Sequence, residues 1–218
     1  MSLGLWQMQR RAWKLDLIAQ VDARAHARPV AAPGPERWRS ITAATDAYRR
    51  VRLHGVFDNR AETLVRAATA LGSGYWVMTP LTTDAGFVVL VNRGYVSPEQ
   101  RVVHARPEGP VTVTGYLRIT EPGGGFLRSN DPAADRWFSR DTAAIATKRG
   151  IVAAPYFVDA DRSGNGAPVG GLTVITFPNN HLGYMLTWFA LAALTLVGFG
   201  IVLRRDRAVG VQETEKQR

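Results

Sequence analysis

The chain contains no cysteine, and only Lys14, Lys148 and Lys216 supply lysine among its 218 residues. The absence of thiols excludes a disulfide scaffold, a thiolate zinc site, an iron–sulfur cluster, a thioredoxin-like dithiol and a thiolate copper site. It leaves the compartment open, because a chain without thiols suits oxidising and reducing surroundings alike. The positive surplus, 27 Lys+Arg against 18 Asp+Glu, is almost all arginine and is scattered. With no dense basic run, interleaved aromatics or nucleic-acid motif, nucleic acid is not an expected partner. Nucleophile motifs are missing as well: there is no G-x-S-x-G, and His26, His54, His104 and His181 show no H-E-x-x-H or H-x-H spacing. His26, His54 and His104 read as solvated or strand-surface residues. Glu62, Asp84, Glu99 and Asp141 read as turn or strand-edge carboxylates without a distinctive context.

One long apolar run is present. Residues 182–203 read LGYMLTWFALAALTLVGFGIVL, 22 residues without a charge. As a helix at about 1.5 Å per residue they would reach across a hydrocarbon core. Tyr184 and Trp188 sit near the start, at the head-group level that amphipathic rings favour. Arg204, Arg205 and Arg207 follow at once, whereas residues 163–181 hold no Lys or Arg. The pattern predicts a C-terminal transmembrane helix in the lipid bilayer, its basic tail cytoplasmic and residues 1–181 on the other side. No signal peptide is visible at the N-terminus. Ser2-Leu3-Gly4-Leu5-Trp6 resembles the tail end of a first span, so the expectation is that the first transmembrane helix is missing from this chain.

Elsewhere the periodicities point to an α+β fold whose extramembrane domain is β-rich, an antiparallel sheet or small barrel. Residues 3–27 carry Leu5, Met8, Trp13, Leu17, Ile18 and Val21 at helical spacing, between Arg10, Arg11, Lys14 and Asp16. This predicts an amphipathic juxtamembrane helix that ends in a linker at Pro29, Pro33 and Pro35. Strands are expected at 48–57, 62–68, 74–81, 87–91, 111–119, 155–158 and 172–177, with a short helix at 141–148 capped by Asp141 or Ser139. The expected organisation is therefore 1–28 juxtamembrane helix, 29–181 β-rich domain, 182–203 span and 204–218 basic tail. Asn92-Arg93-Gly94-Tyr95 closes an apolar strand, where a buried arginine would tie strand to loop.

Only one stretch suggests a cofactor surface. On a helix, His181, Tyr184, Met185 and Trp188 fall at i, i+3, i+4 and i+7, a single face at the mouth of the span. An imidazole flanked by aromatic rings can ligate haem iron and pack the macrocycle. The same residues also suit helix capping and interfacial anchoring, and Met185 suits simple packing.

Several motifs carry a resemblance along essentially the whole chain. They are Gly4-x-Trp6-Gln7-x-x-Arg10, Gly55-x-Phe57, Thr79-Pro80-Leu81, Val91-Asn92-Arg93-Gly94-Tyr95-Val96, Gly170-Gly171-Leu172-Thr173, and Pro178-Asn179-Asn180-His181-Leu182-x-Tyr184 with Thr187-Trp188-Phe189. In order and spacing they resemble the Surfeit locus protein 1 family, membrane factors of cytochrome c oxidase assembly. Tyr95 stands where that family usually has Trp. The resemblance implies a hairpin of two spans holding a β-rich domain on the periplasmic side of a bacterial inner membrane. It implies no enzymatic activity, and a role in placing haem a into the oxidase catalytic subunit, with haem a synthase a second partner. It makes His181 the candidate haem-iron ligand, with Trp188 and Tyr184 beside the ring. Arg10, Trp6 and Gln7 lie at the other end of the hairpin, Arg10 suited to haem propionates. A cofactor-free scaffold that holds the oxidase subunit or haem a synthase is the alternative.

Overall fold

In the computed structural model, which describes residues 2–125, 127–164, 166–175 and 181–216, the chain opens with helix α1 (Ser2–His26). The two-residue strand β1 (Val30–Ala31), a 3-10 turn (Pro35–Ser40) and the one-turn helix α2 (Ala43–Asp46) come next. Five longer strands succeed them: β2 (Arg50–Phe57), β3 (Thr63–Thr69), β4 (Gly72–Thr83), β5 (Val88–Val96) and β6 (Pro110–Ile119). A small hairpin, β7 (Gly124–Gly125) with β8 (Arg128–Ser129), precedes α3 (Thr142–Arg149), β9 (Ala153–Ala160) and the long helix α4 (His181–Lys216). Two units divide the chain. One runs Val21–Ile175; the other comprises Met1–Gln20 and Thr176–Arg218.

In the first unit the sheet order is β1-β2-β6-β9-β5-β4-β3, and β2 also pairs with β4. That extra pairing closes β2, β6, β9, β5 and β4 into a five-stranded barrel, with β3 continuing the sheet beyond β4. The closing seam joins Gly55, Val56 and Phe57 to Thr83, Thr82 and Leu81. Gly55 belongs there because a Cβ would overlap the Thr82 carbonyl oxygen.

Side-chain alternation sorts the apolar residues into two clusters. Val51, Leu53, Leu81, Val89, Val91, Leu117, Ala154, Tyr156 and Val158 come from all five barrel strands and fill its interior. The intervening Leu90 and Phe157 point outward, where Val65, Met78, Trp137 and Ile145 cover them. Burial on both faces explains why β5 and β9 read as continuous apolar runs rather than alternating ones. Helix α3 contributes Ile145 to the outer cluster; Asp141 caps it by accepting the Ala144 N–H at 3.1 Å, and Gly150 ends it in the left-handed region.

Three expectations change. The barrel is not purely antiparallel: β5 runs parallel to β9, and β1 parallel to β2. Strand β9 arrives after a long excursion through α3, which permits insertion between β5 and β6 in the direction a hairpin would forbid. Second, residues 172–175 form no strand; Thr173 instead donates to Asp159 at 3.0 Å. Residues 176 and 177 lie outside the described residues. Third, the proline-rich segment after α1 is packed rather than a loose linker. Val30 and Ala31 pair with β2, and the Pro33 carbonyl accepts hydrogen bonds from Tyr156 Oη at 2.7 Å and Trp38 Nε1 at 3.2 Å.

The second unit carries α4, a continuous helix through the uncharged run and beyond it. Among the described residues no helix is long and apolar enough to cross a membrane. The side chains of residues 181, 182, 185 and 202–216 lie outside that description.

Candidate functional site

The residues singled out by the sequence fall on the two long helices. His181 is the first residue of α4, and its side chain, like that of Gln7, lies outside the described residues. Tyr184 and Trp188, one and two turns further along, are exposed, as is Trp6 on α1. Arg10 is exposed as well and lays its guanidinium 4.2 Å from the ring centroid of Trp13, one turn away on α1. Among the described residues no hydrogen bond, ion pair or ring contact joins Trp6 or Arg10 to Tyr184 or Trp188. The candidate face thus presents aromatic side chains on an apolar helix, with ring surface free to pack against a planar apolar partner.

Apart from Arg93, read from its motif as a buried tie, sequence reasoning missed the two clusters of charge in the barrel unit. The first surrounds Asp159, at the end of β9 and 4% exposed. Its Oδ1 accepts from Asn92 Nδ2 at 2.7 Å and Arg140 Nη1 at 3.1 Å; its Oδ2 accepts from Arg118 Nη1 at 2.7 Å and Thr173 Oγ1 at 3.0 Å. Arg140 also forks onto Glu121, with Nε donating at 3.0 Å and Nη2 at 2.5 Å. Two guanidiniums therefore face two carboxylates at short, charge-assisted distances. Burial alone would lower the Arg140 pKa, but Asp159 and Glu121 outweigh it and hold it above the ordinary arginine value. Both arginines also lie over the Phe157 ring, Arg140 at 4.7 Å and Arg118 at 6.0 Å. This cluster lines a cavity of about 480 Å³ together with Trp76 and Thr173. It is balanced within itself.

The second cluster is more loosely paired. Glu62, at the start of β3, lies 3.5 Å from Arg93 Nη1 and 3.3 Å from Arg106 Nη2, and both its carboxylate oxygens lie 3.1 Å from His104 Nε2. The side chains of Glu62, Arg93 and His104 are 8%, 7% and 0% exposed. His104 Nδ1 lies 3.0 Å from the Gln100 carbonyl oxygen, and Arg93 Nη2 donates to the Ala105 carbonyl. Arg93 thus ties β5 to the 97–109 loop, as the motif predicts. His104 and Glu62, expected as a surface histidine and an edge carboxylate, are instead enclosed. Sequence offered no signal for this, because they lie 42 residues apart and meet only when the loop folds back over the barrel.

Comparison with known proteins places these elements in a family. The SURF1 family profile matches residues 1–193. The chain belongs to the SURF1 family. Surfeit locus protein 1 of Homo sapiens is 37% identical over 219 aligned residues, covering 89% of this chain and 70% of its own length. Its Takifugu rubripes counterpart is also 37% identical, with 89% and 88% covered. A SURF1-like protein of Monosiga brevicollis is 34% identical, with 94% and 83% covered. The SURF1 match takes in α1, the whole barrel unit and the first turns of α4, so both charge clusters and all the helix-borne candidates lie inside it.

Proposed function

We propose that this chain is a membrane-bound assembly factor for cytochrome c oxidase that carries haem a to the oxidase catalytic subunit and catalyses no reaction itself. Membership of the SURF1 family, over nearly nine-tenths of the chain, is the observation that carries this reading. In it, residues 182–203 of α4 lie in the bilayer of a bacterial inner membrane, Arg204, Arg205 and Arg207 face the cytoplasm, and the barrel is periplasmic. The exposed rings of Tyr184 and Trp188, one and two turns from His181, suit the apolar faces of a macrocycle. Haem a is then cargo: His181 ligates the iron, Tyr184 and Trp188 flank the ring, and Arg10, with Trp6 and Gln7 near it on α1, meets the propionates.

The test is expression in a host that makes haem a, purification from membranes of wild type and His181→Ala, optical spectra, and extraction of the pigment. Haem a in the wild type and its loss from the variant is the expected result. Pigment missing from both, with oxidase subunits still co-purifying, would overturn the carrier and leave a cofactor-free scaffold for the oxidase subunit or haem a synthase.

A further inference from the structure

The two buried arginine clusters differ in one respect that bears on ligands. Around Asp159 two guanidiniums meet two carboxylates, with bonds as short as 2.5 Å. Around Glu62 two guanidiniums share a single carboxylate and approach it no closer than 3.3 Å, longer than charge-assisted bonds ordinarily run. Arg106 is 43% exposed, so solvent meets much of its charge; the buried cation is Arg93, whose carboxylate partner stands 3.5 Å away. Burial, with Arg106 close by, pulls the Arg93 pKa below its ordinary value against the effect of Glu62. A buried cation that is poorly compensated is an unusual expense in a folded protein, and the remedy is an anion.

The place for that anion is adjacent. Arg93 borders a cavity of about 590 Å³ whose walls include Phe57, Pro107, Val111, Val113 and Pro168. Its hydrogen bonds, to Glu62 and the Ala105 carbonyl, engage two of the five guanidinium N–H donors. The volume falls in the range of small-molecule sites, and the lining has their usual composition, mostly apolar with few charges. Arg162 also borders the cavity, and Asp161 on its wall is committed to a two-pronged ion pair with Arg50, at 2.6 and 2.7 Å.

We propose that this cavity is a binding site for a small amphipathic carboxylate, the carboxylate received by the free donors of Arg93 and the apolar body lying against Phe57, Val111 and Val113. A planar carboxylate matches the guanidinium fork better than a spherical anion does. The site shares no residue with the helix-borne face assigned to haem a and does not depend on that assignment.

The test is calorimetric titration of the purified full chain with hexanoate, with acetate and hexylammonium as comparison probes. Hexanoate should bind, acetate at least roughly tenfold more weakly for want of an apolar body, and hexylammonium not measurably. Arg93→Gln should weaken hexanoate roughly tenfold or more. Because Arg93 also ties β5 to a loop, Val113→Phe is the second variant: it adds bulk at the cavity wall away from the Glu62 cluster and should abolish hexanoate binding in a chain that still unfolds cooperatively, at a lower midpoint because Val113 also packs against the barrel core. Hexanoate that binds Val113→Phe as tightly as wild type, or equal affinity for hexanoate and hexylammonium, would overturn the site. So would failure of wild type to bind hexanoate at millimolar concentration.

Discussion

Tyr156 and Pro33, 123 residues apart, are joined by a 2.7 Å hydrogen bond from the buried tyrosine hydroxyl to the proline carbonyl. Tyr156 projects into the barrel interior, where its ring is fully enclosed. Its hydroxyl thereby fastens the segment that follows α1 to the core. Burial and the charge of Glu36 both hold the Tyr156 pKa well above the ordinary tyrosine range, so the hydroxyl remains a donor at any physiological pH. Trp38 Nε1 donates to the same carbonyl, so this one backbone oxygen anchors two aromatic side chains.

Tyr156→Phe should therefore be mildly destabilising. The Pro33 carbonyl keeps its bond from Trp38, so it is not left unsatisfied, and the expected loss is about 1 kcal/mol rather than the larger penalty of a stranded polar group. Denaturant unfolding of the full chain in detergent, followed by near-ultraviolet circular dichroism, measures it.

Asp159→Asn should cost far more. The substitution keeps the shape but removes the negative charge that lies between Arg118 and Arg140, leaving two buried cations to share Glu121. The expected loss is about 3–5 kcal/mol, as for removing one partner of a buried ion pair. Thr173→Val deletes a single neutral donor to the same carboxylate and should cost about 1 kcal/mol. The ratio of the two losses, read from unfolding midpoints, distinguishes an electrostatic keystone from an ordinary loop contact.

Acid should loosen the barrel through Asp46 and Asp135. Burial pushes each carboxyl up, but hydrogen bonds outweigh it: from Thr45 and the Thr42 amide, with Arg49 adding charge, at Asp46, and from Trp137 and Arg149 at Asp135. Both end below the ordinary aspartate value. A carboxyl with a depressed folded-state pKa favours the folded state above its unfolded value, and that advantage disappears as pH falls through the folded one. Stability should hold level down to about pH 4 and decline below it. In the Asp46→Asn, Asp135→Asn double variant the decline should be shallower. Thermal unfolding between pH 2.5 and 7 gives the comparison.

The absence of cysteine makes topology directly measurable. Under the proposed orientation, a single cysteine at Val152, an 81% exposed position of the barrel unit, reacts with an impermeant maleimide added to spheroplasts. One at Glu215 in the basic tail reacts only after permeabilisation. The opposite labelling pattern would reverse the orientation.

Local pattern alone was enough for much of the fold. The 3.6-residue spacing of Leu5, Met8 and Val21 announced α1, the expected helix at 141–148 forms within one residue with Asp141, one of its two cap candidates, as the cap, and six of the seven expected strands form. Such features are legible because each depends on residues near one another in the chain. The arginine in Asn92-Arg93-Gly94-Tyr95 was equally readable as a tie from strand to loop, since its loop begins four residues later.

Tertiary structure decided what depends on distant pairings. Only closure of β2 on β4 turned a sheet into a barrel, and only the late insertion of β9 between β5 and β6 made one strand pair parallel. Residues 172–175 have the composition of a strand, yet they pair with none, and Thr173 donates to Asp159 instead. Glu62 and His104 looked like surface residues because sequence reports polarity, not enclosure. Whether a charged side chain is solvated or buried depends on what folds over it, and here that is the 97–109 loop. The pairing of charge in each cluster, with four groups matched around Asp159 and Arg93 held 3.5 Å from Glu62, exists only once strands far apart in the chain bring those groups within reach.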